Sequence, residues 1–256
     1  PVSGVNSTWG GHASFHRCKP DHDVVKLPPG AELWDYVHAE VASISYRGVC
    51  SAYPLPGETA VVIGQGLIGA FNTKWLLLHG VRVIAVDIEE YRLETARKWG
   101  AVTILNTGDN DIREEILSYC DGGADIVVES SGTLSGAHLA ASLLRVPLTQ
   151  SVKTRYNVES MHSNANSWPR LVYQASAYPA TQITPQGLQK VEGAVILRPS
   201  DRSVADRIAV IEHIRRGDLP VSDIIDAATP VDEATSAYSF LLNNPDKAKS
   251  IAFKWK

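Results

Sequence analysis

The chain reads as an α/β protein built on a doubly wound parallel sheet, and three observations predict this. Short apolar, β-branched runs alternate with helical patterns along most of its length. Those runs are apolar at successive positions, as strands covered on both faces require. The stretch 59–87, TAVVIGQGLIGAFNTKWLLLHGVRVIAVD, places strand, glycine turn, helix, strand and terminal acid in succession.

Each element has its own justification. Thr59–Ile63 is a buried strand, and Gly64-Gln65-Gly66-Leu67-Ile68-Gly69 forms a G-x-G-x-x-G turn. Leu67, Ile68, Phe71, Trp75, Leu76 and Leu78 recur at helical spacing, and Gly80 closes that helix. A second strand, 81–86, leads to Asp87. A helix over 89–99 is stopped by Gly100, and 102–105 is a strand. A short helix over 111–117 precedes the strand 124–129 (ADIVVE), and 135–145 is helical. Strands are expected at 170–175 (RLVYQA) and 191–197 (VEGAVIL), the latter as a covered apolar edge. Ser203 and Asp206 mark the start of a helix over 203–216 and Gly217 its stop. A helix over 232–243 and a strand over 250–255 complete the chain. The polar stretch 146–167 does not fit this alternation. Two readings stand for it, irregular packing or disorder and a functional lid.

Composition narrows the function classes. The 256 residues carry a net charge of −4, with 44% hydrophobic and 20% charged residues, so one large domain or a domain plus a smaller one is expected. No basic tract supports nucleic-acid binding, and no apolar run is long enough to cross a membrane. Three scattered cysteines, Cys18, Cys50 and Cys120, suit a reducing, cytoplasmic setting rather than a disulfide framework, and the latter two read as small buried hydrophobes. The chain begins at Pro1, so its first residue is not expected to be that of the gene product.

The glycine turn in its full strand–turn–helix–strand setting is a dinucleotide site, as in a Rossmann fold; the alternative is a merely structural tight turn. Gly64 permits the turn, Gly66 lets a pyrophosphate approach the backbone, and Gly69 lets the helix pack against the sheet. The helix start at Leu67 and Ile68 offers N–H groups to the phosphates. Asp87 lies 18 residues after Gly69, close to the spacing of about 20 for the acid that accepts the adenine-ribose hydroxyls. A carboxylate there repels a 2′-phosphate, so NAD is expected over NADP; Arg92 either weakens that preference or is a solvated helix residue. Glu129 and the turn Ser130, Ser131 and Gly132 follow a buried strand at its carboxyl end, where ligands collect in such sheets. His12, His16 and Cys18 alternate along one expected strand face, with His22 nearby, and do not match zinc-ligand spacing.

Several segments in order resemble the medium-chain dehydrogenase/reductase superfamily, in its zinc-type alcohol, polyol and threonine dehydrogenase-like branch. They are Gly10-Gly11-His12-Ala13-Ser14-Phe15, Asp23 through Gly30 (DVVKLPPG), Pro56-Gly57-Glu58-Thr59, Asp125 through Gly132 (DIVVESSG) and the end of the chain from Gly217. The resemblance implies residues 1–44 as the end of a GroES-like catalytic domain, 45–200 as the NAD-binding domain with insertion 146–167, and 201–256 as helices and strand returning to the catalytic domain. Remnants of that GroES-like domain thus lie at both ends. The cysteine ligand and Gly-His-Glu motif for catalytic zinc, and the four-cysteine structural cluster, have no counterpart in the sequence. A missing N-terminal catalytic segment is therefore expected.

By the same resemblance Ser130 borders the cofactor, and Gln174, Ala175 and Ser176 approach the nicotinamide, with Ala175 in place of the usual glycine. Glu40 falls where the family carries a third zinc ligand; its alternative is an ordinary solvated helix carboxylate. No other catalytic residue is assigned. The implied function is reversible oxidation of a secondary alcohol or polyol to a ketone with NAD. Zinc belongs to the full family pattern but is not expected in this chain. The implied partners are a small alcohol or ketone and a second copy across the 191–197 edge, with no nucleic acid and no membrane. An NAD-binding remnant or accessory subunit without catalysis is the alternative, and an NADPH-type zinc-independent reductase is disfavoured by Asp87.

Overall fold

The computed structural model describes residues 24–106, 108, 112–120, 122–145, 168–175, 194–199, 203–244 and 246–255. In chain order its regular elements are α1 (Ala39–Ser51), β1 (Thr59–Ile63), α2 (Leu67–Leu78), β2 (Arg82–Asp87), α3 (Glu90–Lys98), β3 (Val102–Leu105), α4 (Ile112–Ser118), β4 (Ile126–Glu129), α5 (Leu134–Leu143), β5 (Arg170–Tyr173), β6 (Val195–Leu197), α6 (Val204–Arg216), β7 (Ala227–Pro230), α7 (Ala234–Asn243) and β8 (Ile251–Lys254). Short 3-10 turns cover Leu33–Tyr36, Val221–Ile224 and Val231–Glu233.

Six parallel strands form one sheet in the order β3-β2-β1-β4-β5-β6. The order reverses between β1 and β4, which opens a crevice at the carboxyl ends of the strands. Alternation along each strand divides the core. Ala60 and Val62 face α1, α2 and α6, burying Phe71, Trp75, Leu76, Val210 and Ile214. Val61 and Ile63 face the other way, against Ile116, Ala137, Ala140 and Leu143 of α4 and α5. Two covered faces explain why β1, β4 and β5 are buried at every position.

The segment expected to return to a second domain also contributes to this core. Val210, Ile214, Leu219, Val221 and Ile224 all pack in the layer with α1 and α2. Serine 203 caps α6 in a capping box with Asp206, and Gly217 ends the helix in the left-handed region at φ 80°. Arg47 of α1 reaches Asp206 Oδ2 at 2.6 Å and fastens the two helices.

The expected strand at 250–255 forms as β8 and pairs in parallel with β7, which the sequence pattern did not reveal, to make a separate two-stranded sheet. Three other expectations need revision. The expected strand 170–175 ends at Tyr173, and 124–129 begins at Ile126. The 191–197 strand appears as β6 at the sheet edge, but Val195 and Ile196 are 39% and 40% exposed within the single chain rather than covered. Residues 191–193, the insertion 146–167 and the N-terminal stretch with His12, His16, Cys18 and His22 lie outside the described residues. Among the described residues no helix is long and apolar enough to cross a membrane.

Candidate dinucleotide site

A cleft of about 640 Å³ opens at the carboxyl ends of β1, β2 and β4, where the strand order reverses. Its floor is the glycine turn. Gly64 adopts φ 87°, and a Cβ built there would lie 2.7 Å from the Ser131 nitrogen, so this position excludes side chains on two grounds. Gly69 is equally confined, since a Cβ would meet the Gly64 carbonyl oxygen at 1.7 Å. Gly66 is different: a Cβ there would meet nothing within 4 Å. Its open side faces the cleft, and Gly66 is the N-cap of α2, with Leu67 and Ile68 in the first turn. The first N–H groups of a helix and an open approach to the backbone together suit a phosphate group.

Asp87 ends β2 at the cleft wall and is 5% exposed. Its Oδ2 accepts the Gln65 N–H at 2.5 Å and its Oδ1 the Glu89 N–H at 2.9 Å. The carboxylate therefore grips the glycine turn while bordering the cleft. Arg92, from the first turn of α3, brings Nη1 to 3.9 Å from Asp87 Oδ1 and also lines the cleft. Gln65 is fully buried and ties β1 to α2, its Oε1 accepting the Thr73 hydroxyl.

The opposite wall comes from the turn after β4. Ser130, Ser131, Thr133, Ser135 and Gly136 line it, with Ile88, Asn106, Ile112 and Leu139 supplying the rest of the rim. Ser130 accepts a bond from the buried Asn72 amide at 3.1 Å. Thr133 caps α5 through the Gly136 N–H. Behind this wall Glu129 is fully buried, and burial pushes its carboxyl up from the ordinary range despite bonds from Ser131 and Gly132.

Beyond the cleft, Gln174 follows β5, and its backbone N–H bonds the Glu129 carbonyl at 2.9 Å. Its side chain turns toward α1, where Nε2 donates to Ile44 O at 3.0 Å over Gly48. Ala175 is half-buried beside it, and Ser176 lies outside the described residues. Glu40 stands in the first turn of α1, with Oε2 3.5 Å from Arg207 Nη1. Among the described residues no group of three or more His, Cys, Asp or Glu side chains could hold a metal ion. Near Glu40, His38 is buried and bonds Ser250 Oγ through Nε2 at 2.9 Å; burial lowers its pKa. Cys50 is half-buried and its thiol pushed up by burial, and Cys120 is buried, which suits packing rather than nucleophilic chemistry.

The sequence pattern located the turn, Asp87 and Ser130. It missed Asn106, Ile112, Thr133, Ser135 and Leu139 as cleft residues. The signal available for them was their position just after strand ends or on the helices that follow.

Known proteins resemble parts of this chain in sequence and fold. Residues 68–146 match the family model described as zinc-binding dehydrogenase. An alcohol dehydrogenase of Cupriavidus necator is 27% identical over 217 residues, 84% of this chain and 54% of that protein. D-xylulose reductase A of Aspergillus oryzae is 32% identical over 135 residues, 49% of this chain and 37% of its own length. The chain thus spans about half the length, or less, of these curated relatives. An alcohol dehydrogenase of Escherichia coli CFT073, solved with cofactor NADH, shares the fold with a TM-score of 0.72 at 18% identity. That match covers 90% of this chain and 62% of the other.

Proposed function

Because the chain belongs to the medium-chain dehydrogenase/reductase superfamily, in its zinc-type alcohol dehydrogenase-like branch, we propose that it is an NAD-dependent oxidoreductase acting on a secondary alcohol or polyol. The observation that carries this reading is one cleft that joins the open side of Gly66 to the buried carboxylate of Asp87. Gly64, Gly66, Leu67, Ile68 and Gly69 would hold the pyrophosphate, Asp87 and Arg92 the adenine ribose, and Ser130, Gln174, Ala175 and Ser176 the nicotinamide half. When bound, the dinucleotide supplies the hydride acceptor for conversion of the alcohol to a ketone. The protein groups would bind and orient it: the helix start would offer its N–H groups to the phosphates, and Asp87 would accept ribose hydroxyls while repelling a 2′-phosphate.

Zinc belongs to the family pattern, but the described residues do not fit it. Glu40 is engaged with Arg207, and a catalytic zinc needs about three protein ligands. The pairing of Glu40 with Arg207 favours a second reading, in which the chain binds NAD as an accessory subunit and transfers no hydride by itself.

Titration by NADH and NADPH fluorescence tests the cofactor assignment. NADH is expected to bind more tightly. Asp87→Ser should weaken both cofactors, because it frees the Gln65 N–H, and should narrow the ratio between them. Equal affinity of the unmodified protein for both would remove Asp87 as the selecting group.

A further inference from the structure

Glu129 is not among the described residues that line the cleft, yet the bonds to its side chain support the wall that does. Its Oε1 accepts the Ser131 N–H at 2.9 Å and the Ser131 hydroxyl, and Oε2 accepts the Gly132 N–H at 3.4 Å. Ser131 in turn accepts the Thr133 N–H at 3.2 Å, just before α5. The glycine turn rests on this second turn. A Cβ on Gly64 would lie 2.8 Å from Ser131 Cα, and one on Gly69 would lie 3.4 Å from Ser130 Cβ. The Ser130 N–H bonds the carbonyl of Ile63, the residue before Gly64, at 2.8 Å. On the far side Gly136 closes down, where a Cβ would meet Ser131 Oγ at 2.2 Å and Glu129 Oε1 at 2.7 Å.

We propose that Glu129 is a positioning residue for the dinucleotide: by holding the 130–132 turn from beneath, it fixes the seat on which the phosphate-binding glycine turn lies. The proposal rests on the cofactor reading of the cleft. It is separable from an electrostatic role because the two predict opposite signs. A buried carboxylate near a pyrophosphate repels it, so on charge alone a neutral residue should tighten binding. A titrating neighbour is Tyr173, opposite Glu129 in the β4–β5 register; its phenol is pushed up by burial and by the charge of Glu129. Across the glycine turn, Asp87 and Arg92 are the charged groups of the cleft. If Glu129 positions, losing its acceptor oxygens must loosen binding even though repulsion is relieved.

Glu129→Met keeps the length and removes every acceptor, and Glu129→Gln keeps one acceptor oxygen. The expected order of NADH affinity is unmodified, then Gln, then Met, with Met at least about tenfold weaker. In the cofactor-free proteins, amide hydrogen exchange at Gly64 and Gly66 should accelerate in the same order. A merely structural role would lower the melting temperature and leave the affinity of the folded variant unchanged. Met or Gln variants that are folded and bind NADH as tightly as, or more tightly than, the unmodified chain would overturn the proposal. Should Glu129→Met not fold, the Gln variant decides, with unaltered affinity and exchange counting against positioning. Failure of the unmodified chain to bind NADH would overturn the cofactor reading itself, and the proposal with it.

Discussion

At the scale of single residues, the glycine turn shows how one residue type serves opposite needs. Gly64 and Gly69 lack side chains because neighbouring backbone already fills the space, whereas Gly66 faces open space. Only the last is a statement about a ligand. Gly66 has φ −65° and ψ −171°, a conformation any L-residue adopts, so a substitution there need not disturb the fold. Gly66→Val is accordingly expected to fold with little change in melting temperature and to lose NADH affinity by about a hundredfold or more, roughly 2.7 kcal/mol. Fluorescence titration beside a thermal melt checks both halves. Undiminished affinity in a folded variant would make the turn structural only. Asp87 accepts the Gln65 and Glu89 N–H groups with one carboxylate, and that grip was not legible from spacing. The spacing to Gly69 identifies a residue at the strand tip, but which backbone N–H it meets depends on how the turn folds back.

At the scale of elements, α6 and β6 make contrasting cases. The start and stop of α6 are written locally: Ser203 and Asp206 satisfy each other's backbone N–H groups, and Gly217 takes the left-handed conformation. Ser203→Ala should cost about 1 kcal/mol, read as a fall of about 2–4 °C in melting temperature. Burial pushes the Asp206 carboxyl up, but bonds from Ser203 and Arg47 outweigh it and hold the group below the ordinary aspartate range. A lowered folded-state value means that Asp206 adds stability above the ordinary aspartate value and loses it as pH falls through the folded one. The stability gap between the unmodified protein and Asp206→Asn should therefore be present at neutral pH and close under acid, which melts at stepped pH would show.

Strand β6 poses the opposite problem. It pairs only with β5 among the described residues and leaves Val195 and Ile196 about 40% exposed. An open apolar edge invites pairing with a second copy. We predict a homodimer built on this edge, with Ile196→Lys shifting the protein toward monomer. Sedimentation at micromolar concentration reads the difference, and a monomeric unmodified chain would remove the idea.

At the scale of the whole molecule, the cleft and the metal question separate. The described residues that line the cleft come from the strand ends of the sheet, the turns after them and the helices that follow. Glu40, in contrast, is held by Arg207 across the α1–α6 layer, and no group of three ligand-type side chains forms among the described residues. We predict that these 256 residues, produced as such, bind NADH but convert secondary alcohols and polyols negligibly. Metal analysis and an NADH-production assay over an alcohol panel test this. About one equivalent of zinc, with turnover lost in Glu40→Ala, would overturn it.

What the sequence determined by itself was the doubly wound sheet, most of its element boundaries and the glycine turn. These depend on apolar periodicity, caps and breakers within a few residues of each other, so they survive being read in one dimension. What only the tertiary structure decided were contacts between distant segments. Arg170, buried in β5, pairs with Glu58 at 2.5 Å and bonds the Ala52 carbonyl, although RLVYQA reads simply as a strand. Tyr91 of α3 donates to Asp226, which also receives the Lys249 and Ser250 N–H groups; burial and that bond push the phenol up to about 12. Strand β7, AATP, has little strand signal of its own and forms because β8 supplies its partner. The hydroxyl wall of the cleft likewise exists only because β4 lies beside β1, which brings Ser131 against Gly64. Such partners are chosen by the packing of the whole chain, and no local pattern encodes them.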